Sequence, residues 1–168
     1  MSPDGHVDAE TALAHAPAGH KDDLRLWLRL LSCTRLIEAE IRRRLRARFA
    51  TTLPRFDFLA QLERAPVGLT PGEISRRMMV TGGNVTGLAA RLEEEGLIER
   101  RIVRADRRAV TLRLTALGRR EFARQSAAHE LWIAELLDAV PAPERATLLR
   151  LLDRTRRSVR AALTEEGA

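Results

Sequence analysis

The chain has 168 residues, 45% of them apolar, and a formal net charge of +6 at pH 7. That length holds one domain, or one domain with a helical extension, and that apolar share builds a core, which excludes a disordered protein outside the ends. There is no apolar run of the roughly 18 residues a membrane span needs, and a single cysteine, Cys33, excludes an internal disulfide.

The basic balance points toward a polyanionic partner. Lys21 is the one lysine among 29 basic residues; arginine suits phosphate and guanine recognition, and a GC-rich genome produces the same bias. Residues 1–20 carry Pro, Gly, Ala, Asp and His without periodicity and without an apolar h-region. They read as a flexible tail with no secretory signal, and a cytoplasmic protein is expected.

From Asp22 the pattern turns helical and continues to about residue 49. Leu24, Trp27, Leu28 and Leu31 form one apolar line; Leu26, Leu30, Cys33, Ile37, Ile41 and Leu45 form a second. A stripe this wide implies burial against a second subunit. Pro54 sits in the first turn of the next helix, which carries Phe56, Phe58, Leu59 and Leu62 and stops near Pro66-Val67-Gly68. Thr70-Pro71-Gly72-Glu73 is a capping box that opens a short helix with Ile74 and Met78. After a turn, Thr81 is placed to cap another helix, with Val85, Leu88, Ala89 and Leu92 at core spacing and Gly96 as its stop.

An extended segment, Glu99 to Val103, leads to a tip at Arg104-Ala105-Asp106-Arg107-Arg108. The return strand, Val110 to Leu114, alternates apolar and polar residues. Thr115 caps a helix expected to reach about Val140. Val140-Pro141-Ala142-Pro143 breaks it, and a last amphipathic helix covers roughly Glu144 to Leu163. Two short helices, a turn and an arginine-rich hairpin make a winged helix-turn-helix, a module that sets one helix in a DNA major groove. The fold class is therefore mostly α with a small β-wing. The winged module spans about 53–115 within a domain of 21–163, flanked by dimerisation helices at about 22–49 and 117–163.

Two constellations carry the chemistry. The second helix of the pair opens Thr81-Gly82-Gly83-Asn84-Val85-Thr86-Gly87. Glycine costs about 0.5–1 kcal/mol in a helix relative to alanine, so three of them need a reason. Either backbone N–H groups approach a phosphate or groove floor closely, or Gly82-Gly83 only makes a tight turn. On the first reading Asn84 pairs with adenine's N6/N7 edge, Thr86 touches a thymine methyl or a phosphate, and Arg91 grips a phosphate. The hairpin is the second constellation. Between Gly96 and Arg120 stand Arg100, Arg101, Arg104, Arg107, Arg108, Arg113, Arg119 and Arg120, against Glu99 and Asp106. Arg104, Arg107 and Arg108 are placed for a minor groove, and Asp106 is expected to pair with Arg107 or Arg108 and fix the tip.

No catalytic set is expected. Three of the four histidines, His6, His15 and His20, lie in the tail, and their spacing fits no metal site; His129 is alone in the folded part. Neither a cofactor nor a metal is expected. A winged helix used only for protein contact is the competing class, and the basic tip argues against it.

The run from Leu53 to Leu117 closely resembles the MarR (multiple antibiotic resistance regulator) family. The likeness lies in Leu53-Pro54-Arg55-Phe56-Asp57, Leu69-Thr70-Pro71-Gly72-Glu73-Ile74, Asn84-Val85-Thr86-Gly87-Leu88, Arg91-Leu92-Glu93-Glu94-Glu95-Gly96-Leu97-Ile98, Asp106-Arg107-Arg108 and Leu114-Thr115-Ala116-Leu117-Gly118-Arg119. With the flanking helices the resemblance extends over about residues 22–163. It implies homodimers with interlocked terminal helices, a pseudopalindromic operator in double-stranded DNA, and repression relieved by a small ligand. Gly87 departs from the pattern, since many members put arginine there, so that base contact is not carried over. The Val80-Thr81-Gly82-Gly83-Asn84-Val85-Thr86-Gly87 wording and the Leu26-Trp27-Leu28 helix are similar to members that regulate aromatic-acid catabolism, some of which respond to hydroxycinnamoyl-CoA thioesters. An aromatic effector would then be lined by Trp27, Leu30, Leu31, Thr34, Phe56 and Trp132, with ordinary core as the alternative. Arg42 and Arg46, in the run Arg42–Arg48, would take CoA phosphates or form a solvated face. Cys33 reads as a small buried apolar residue, with oxidant sensing as the alternative.

Overall fold

Proline and glycine punctuate this chain, and the backbone follows them. The computed structural model describes residues 22–103 and 106–165, the side chains of 103, 106–109 and 165 excepted. Among these residues six helices and two strands follow in order: α1 (Asp22–Phe49), α2 (Leu53–Glu63), α3 (Pro71–Met78), α4 (Gly82–Glu94), β1 (Ile98–Val103), β2 (Asp106–Leu114), α5 (Ala116–Leu136) and α6 (Ala142–Glu165). The tail 1–20 and Arg104 lie outside the described residues. So do the side chains of Asp106, Arg107 and Arg108.

Local chemistry starts and stops each element. Pro54 occupies the first turn of α2, where its missing N–H would have had no partner. The capping box is complete. Thr70 Oγ1 accepts from the Glu73 N–H (3.3 Å), and the Glu73 carboxylate accepts from the Thr70 N–H (2.8 Å), a bond that holds its carboxyl below the usual range. Gly96, at φ 70°, closes α4 as expected. Thr81 stands at the N-cap of α4, yet its side chain makes no capping hydrogen bond. Met79 closes α3 in the left-handed region, at φ 54° and ψ 42°, which for a side chain of this kind costs about 1 kcal/mol.

Contacts divide the chain after His129. In the first unit α2 packs on α1, α3 and β2, and α4 packs on α3 and β1. Leu45, Phe58, Leu59, Leu62, Ile74, Val85, Leu92, Ile98 and Leu112 are fully buried, so the expected core positions of α2, α3 and α4 meet in one core. The strands pair antiparallel from Ile98↔Leu114 to Ile102↔Val110, with an irregularity between Ile102 and Val103. Leu69 bridges to Leu112 as a third, one-residue strand. Gly68, at φ 95°, lets that loop in: a β-carbon there would meet the Arg113 Cγ at 2.7 Å and the Leu112 carbonyl oxygen at 3.0 Å. Arg113 secures the same spot by donating twice to the Pro66 carbonyl, its Nε at 2.9 Å.

Three boundaries differ from expectation. Asp106, Arg107 and Arg108 fall within β2, which starts where Asp106 pairs with Val103; Arg107 and Arg108 lie in the irregular stretch between that pair and Ile102↔Val110. α5 stops at Leu136, not near Val140. Backbone bonds of the i→i+3 kind at Asp138 and Val140 tighten the end, since a residue before proline disfavours helix. α6 begins at Ala142, earlier than Glu144, because the Pro141 carbonyl takes the first bond, from the Arg145 N–H at 2.9 Å, and Pro143 fits the first turn. In the second unit α6 is apolar along one side with that side open: Leu148, Leu149, Leu151, Leu152, Val159 and Leu163 are exposed. On α1, in the first unit, only Ile41 and Leu45 are buried, while Leu24, Leu26, Trp27 and Leu36 are exposed.

Candidate nucleic-acid interface

The front of α4 is open. Thr81, Gly82, Gly83, Asn84, Thr86, Gly87 and Arg91 are exposed, while Val85, Ala89 and Leu92 face inward. This split follows from 3.6-residue spacing with apolar residues on one side alone. None of Gly82, Gly83 and Gly87 has a positive φ, and a β-carbon on any of them would meet nothing within 4 Å. The tight-turn account of Gly82-Gly83 is thereby corrected: both are helical, and among the described residues no contact demands glycine. The Thr86 hydroxyl donates to the Gly82 carbonyl at 3.0 Å, which satisfies it locally. Asn84 and Arg91 line a shallow groove of about 430 Å³ together with Thr52 and Pro54.

Two ion pairs tie the far end of α4 to its neighbours. Arg55 on α2 grips Glu95 bidentately (Nη1 to Oε1, 2.7 Å), which holds the Glu95 carboxyl below the usual range. Arg100 on β1 donates its Nε to Glu93 at 2.7 Å. Acidic residues oppose the dipole at a helix C-terminus, so Glu93 and Glu95 serve the anchoring of α4 rather than its helicity. The hairpin's arginines divide by task. Arg100 pairs with Glu93 and Arg101 with Glu99, Arg113 holds the Pro66 carbonyl, and Arg119 donates to the Leu114 carbonyl at 3.0 Å. Four of the eight therefore have partners within the chain. The expected groove contacts Arg104, Arg107 and Arg108 lie beyond the described side chains.

The effector candidates differ in exposure. Trp27 is 57% exposed; Leu30 and Leu31 are half-buried, and the Thr34 hydroxyl is turned back to the Leu30 carbonyl at 2.8 Å. Phe56 is core: its ring lies 5.4 Å from Phe122 and 4.8 Å from His129, centroid to centroid. Trp132 is buried in the second unit. Arg42 and Arg46 line a shallow depression on α1 with Arg43, but Arg42 is paired with Glu38 (3.0 Å). Arg43 and Arg44 converge on Glu40 and draw its pKa down to about 2. Much of the basic run is thus compensated within its own helix. Cys33 is exposed in the single chain, on the α1 stripe whose burial is expected against a second subunit. Among the described residues no cluster of metal-ligating side chains occurs, and no helix is long and apolar enough to cross a membrane.

Residues 51–109 match the MarR family model. A MarR family transcriptional regulator from Silicibacter pomeroyi superposes with a TM-score of 0.71 at 33% identity, over 86% of this chain and 99% of that one. The chain belongs to the MarR family. Its winged-helix fold, helical with a two-stranded sheet, is that of the family's transcriptional regulators. FabT of Streptococcus pneumoniae, solved in complex with DNA, matches with a TM-score of 0.70 at 27% identity, over 84% of this chain and 99% of that one. The HTH-type transcriptional regulator PecS of Dickeya dadantii is 37% identical over 65 residues, 38% of this chain. The transcriptional activatory protein BadR of Rhodopseudomonas palustris is 30% identical over 121 residues, 71% of this chain. The chain spans 39% of the length of PecS and 63% of the length of BadR in these matches.

Within this MarR fold, sequence reasoning left several working residues unassigned. Arg55, Glu93, Glu95 and Arg113 act across 7 to 47 residues of sequence, and no local pattern marks their partners. Asp57 is half-buried on α2; burial and then the nearby Glu38 raise its pKa, and Arg42 opposes them.

Proposed function

We propose that this MarR family protein is a sequence-specific DNA-binding transcriptional regulator that works as a homodimer and is switched by a small aromatic molecule, an aromatic acid or its CoA thioester. The observation that carries the reading is the exposed, glycine-fronted α4. Its glycines are needed neither for φ nor for space within the chain, and a close external surface is what they allow. The DNA-bound FabT relative supports the same partner. Thr81, Gly82, Gly83, Asn84, Thr86 and Arg91 face the major groove, and Arg104, Arg107 and Arg108 enter the minor groove, in an operator read by two helices about 34 Å apart. Regulation is by repression that the effector relieves; the reading carries no catalytic role and sets the protein in the cytoplasm. Its likeness to the activator BadR makes activation the outcome to test against.

The decisive experiment is binding to duplex from the gene's own upstream region, with and without a panel of aromatic acids and their CoA esters. Binding that a panel member weakens supports the reading; no binding at low ionic strength refutes it. Two substitutions probe the helix. Asn84→Ala is expected to reduce discrimination between operator and random duplex by about 1–3 kcal/mol, the range of a bidentate base contact. Equal loss on both duplexes, in parallel titrations, would remove its base-reading role. Gly83→Ala is expected to stabilise the fold by about 0.5 kcal/mol and still weaken DNA binding, because the added methyl meets only the duplex. Thermal melts and operator titrations of the same preparation check both signs.

A further inference from the structure

Met79 is out of keeping with its place. It closes α3 in the left-handed region, where glycine or asparagine is the unstrained choice. The turn is held firmly: the Met79 N–H donates to the Ser75 carbonyl, and the Ser75 hydroxyl donates to the Val80 carbonyl at 2.6 Å. The residue is 92% exposed, so burial of its side chain does not offset the strain. A large apolar side chain that is both strained and solvated points to a contact outside the fold. Its position identifies the contact. Two residues on stands Thr81, the N-cap of α4, so Met79 lies within about 7 Å of the start of that helix. Thr81, Gly82, Gly83 and Asn84, next along the chain, are exposed as well, and the exposed Arg76 and Arg77 precede them on the last turn of α3.

We infer that Met79 is a DNA-contacting residue whose thioether chain lies on the apolar surface of the duplex, thymine methyl or deoxyribose, at the edge of the groove that α4 enters. The inference rests on the DNA-binding reading above. An unbranched, polarisable side chain adapts to such a surface, and a neutral one releases no counterion, so the salt dependence of binding is untouched.

The test uses the full-length protein and duplex from its own upstream region, with Met79→Gly and Met79→Leu. The glycine variant is expected to melt about 2–4 °C higher than wild type, because the strain is gone. It is expected to bind operator about fivefold more weakly, with an unchanged salt slope. The leucine variant restores wild-type binding. Replacing operator thymines by deoxyuridine distinguishes the two surfaces: wild type falls to the glycine variant's affinity if the methyl is touched and keeps its own if the sugar is. A glycine variant that binds as tightly as wild type, or melts no higher, overturns the inference, as does a leucine variant as weak as glycine. Wild type that binds no duplex overturns the DNA-binding reading itself, before any variant is compared.

Discussion

Gly118→Ala is expected to cost the fold about 3 kcal/mol or more, a large part of the stability of a domain this size. Gly118 lies in the first turn of α5, and a β-carbon there would stand 1.9 Å from the Leu97 carbonyl oxygen and 2.9 Å from its carbon. These are backbone atoms, so no side chain can swing aside. Nor is that carbonyl free to move: it accepts from the Thr115 N–H at 3.0 Å. Thr115 in turn donates its hydroxyl to the Gly96 carbonyl at 2.7 Å and caps the Gly118 N–H at 3.0 Å. The end of α4, the start of β1 and the start of α5 thus meet at one point with no slack. Urea unfolding checks the prediction. An alanine variant within about 0.5 kcal/mol of wild type would mean that the junction yields where its geometry says it cannot.

The second large effect is expected at Leu152→Glu. Leu152 is 38% exposed and Leu149 66% exposed on an α6 whose apolar side is left largely open by the described residues. A run of this kind is rare on a monomer and typical of a subunit interface, where each buried leucine contributes about 1.5–3 kcal/mol. A carboxylate placed in an apolar interface must stay in water or give up its hydration, so the variant should sediment as a monomer with its helical content intact. Operator affinity should then fall about a hundredfold or more, because the second half-site is no longer held at high effective concentration. A variant that is still dimeric by sedimentation would move the interface to another surface.

Much of the fold was legible in the sequence, because its signals are local. The capping box at Thr70, the proline at α2, the glycine after α4 and the buried Phe56, Phe58, Leu59 and Leu62 each depend on neighbours within a turn or two. What was not legible depends on partners distant in sequence. Asp106-Arg107-Arg108 reads as a tip because such residues are poor strand formers, yet the pairing of Asp106 with Val103 puts the start of β2 at Asp106. Gly118 looks like any helix glycine until Leu97 is folded against it. The interface was read in the same uneven way. The exposed face of α4 follows from periodicity, whereas the left-handed Met79 and the grip of Arg55 on Glu95 belong to tertiary structure. Cys33 shows the same limit of pattern: it gives a residue's side of a helix, while burial requires something to lie on that side, and in the single chain Cys33 is exposed.

The root of the hairpin carries a consequence for switching. Leu69 bridges Leu112, Gly68 lies flush on β2 and Arg113 holds the Pro66 carbonyl, so main chain and side chain together stitch the strands to the segment between α2 and α3. A hairpin fastened in this way has no hinge at its base. If a small molecule alters the reach between paired copies, the hairpin and the α3–α4 pair must swing together as a single lever, and amide exchange at Leu69 and Leu112 should stay slow throughout.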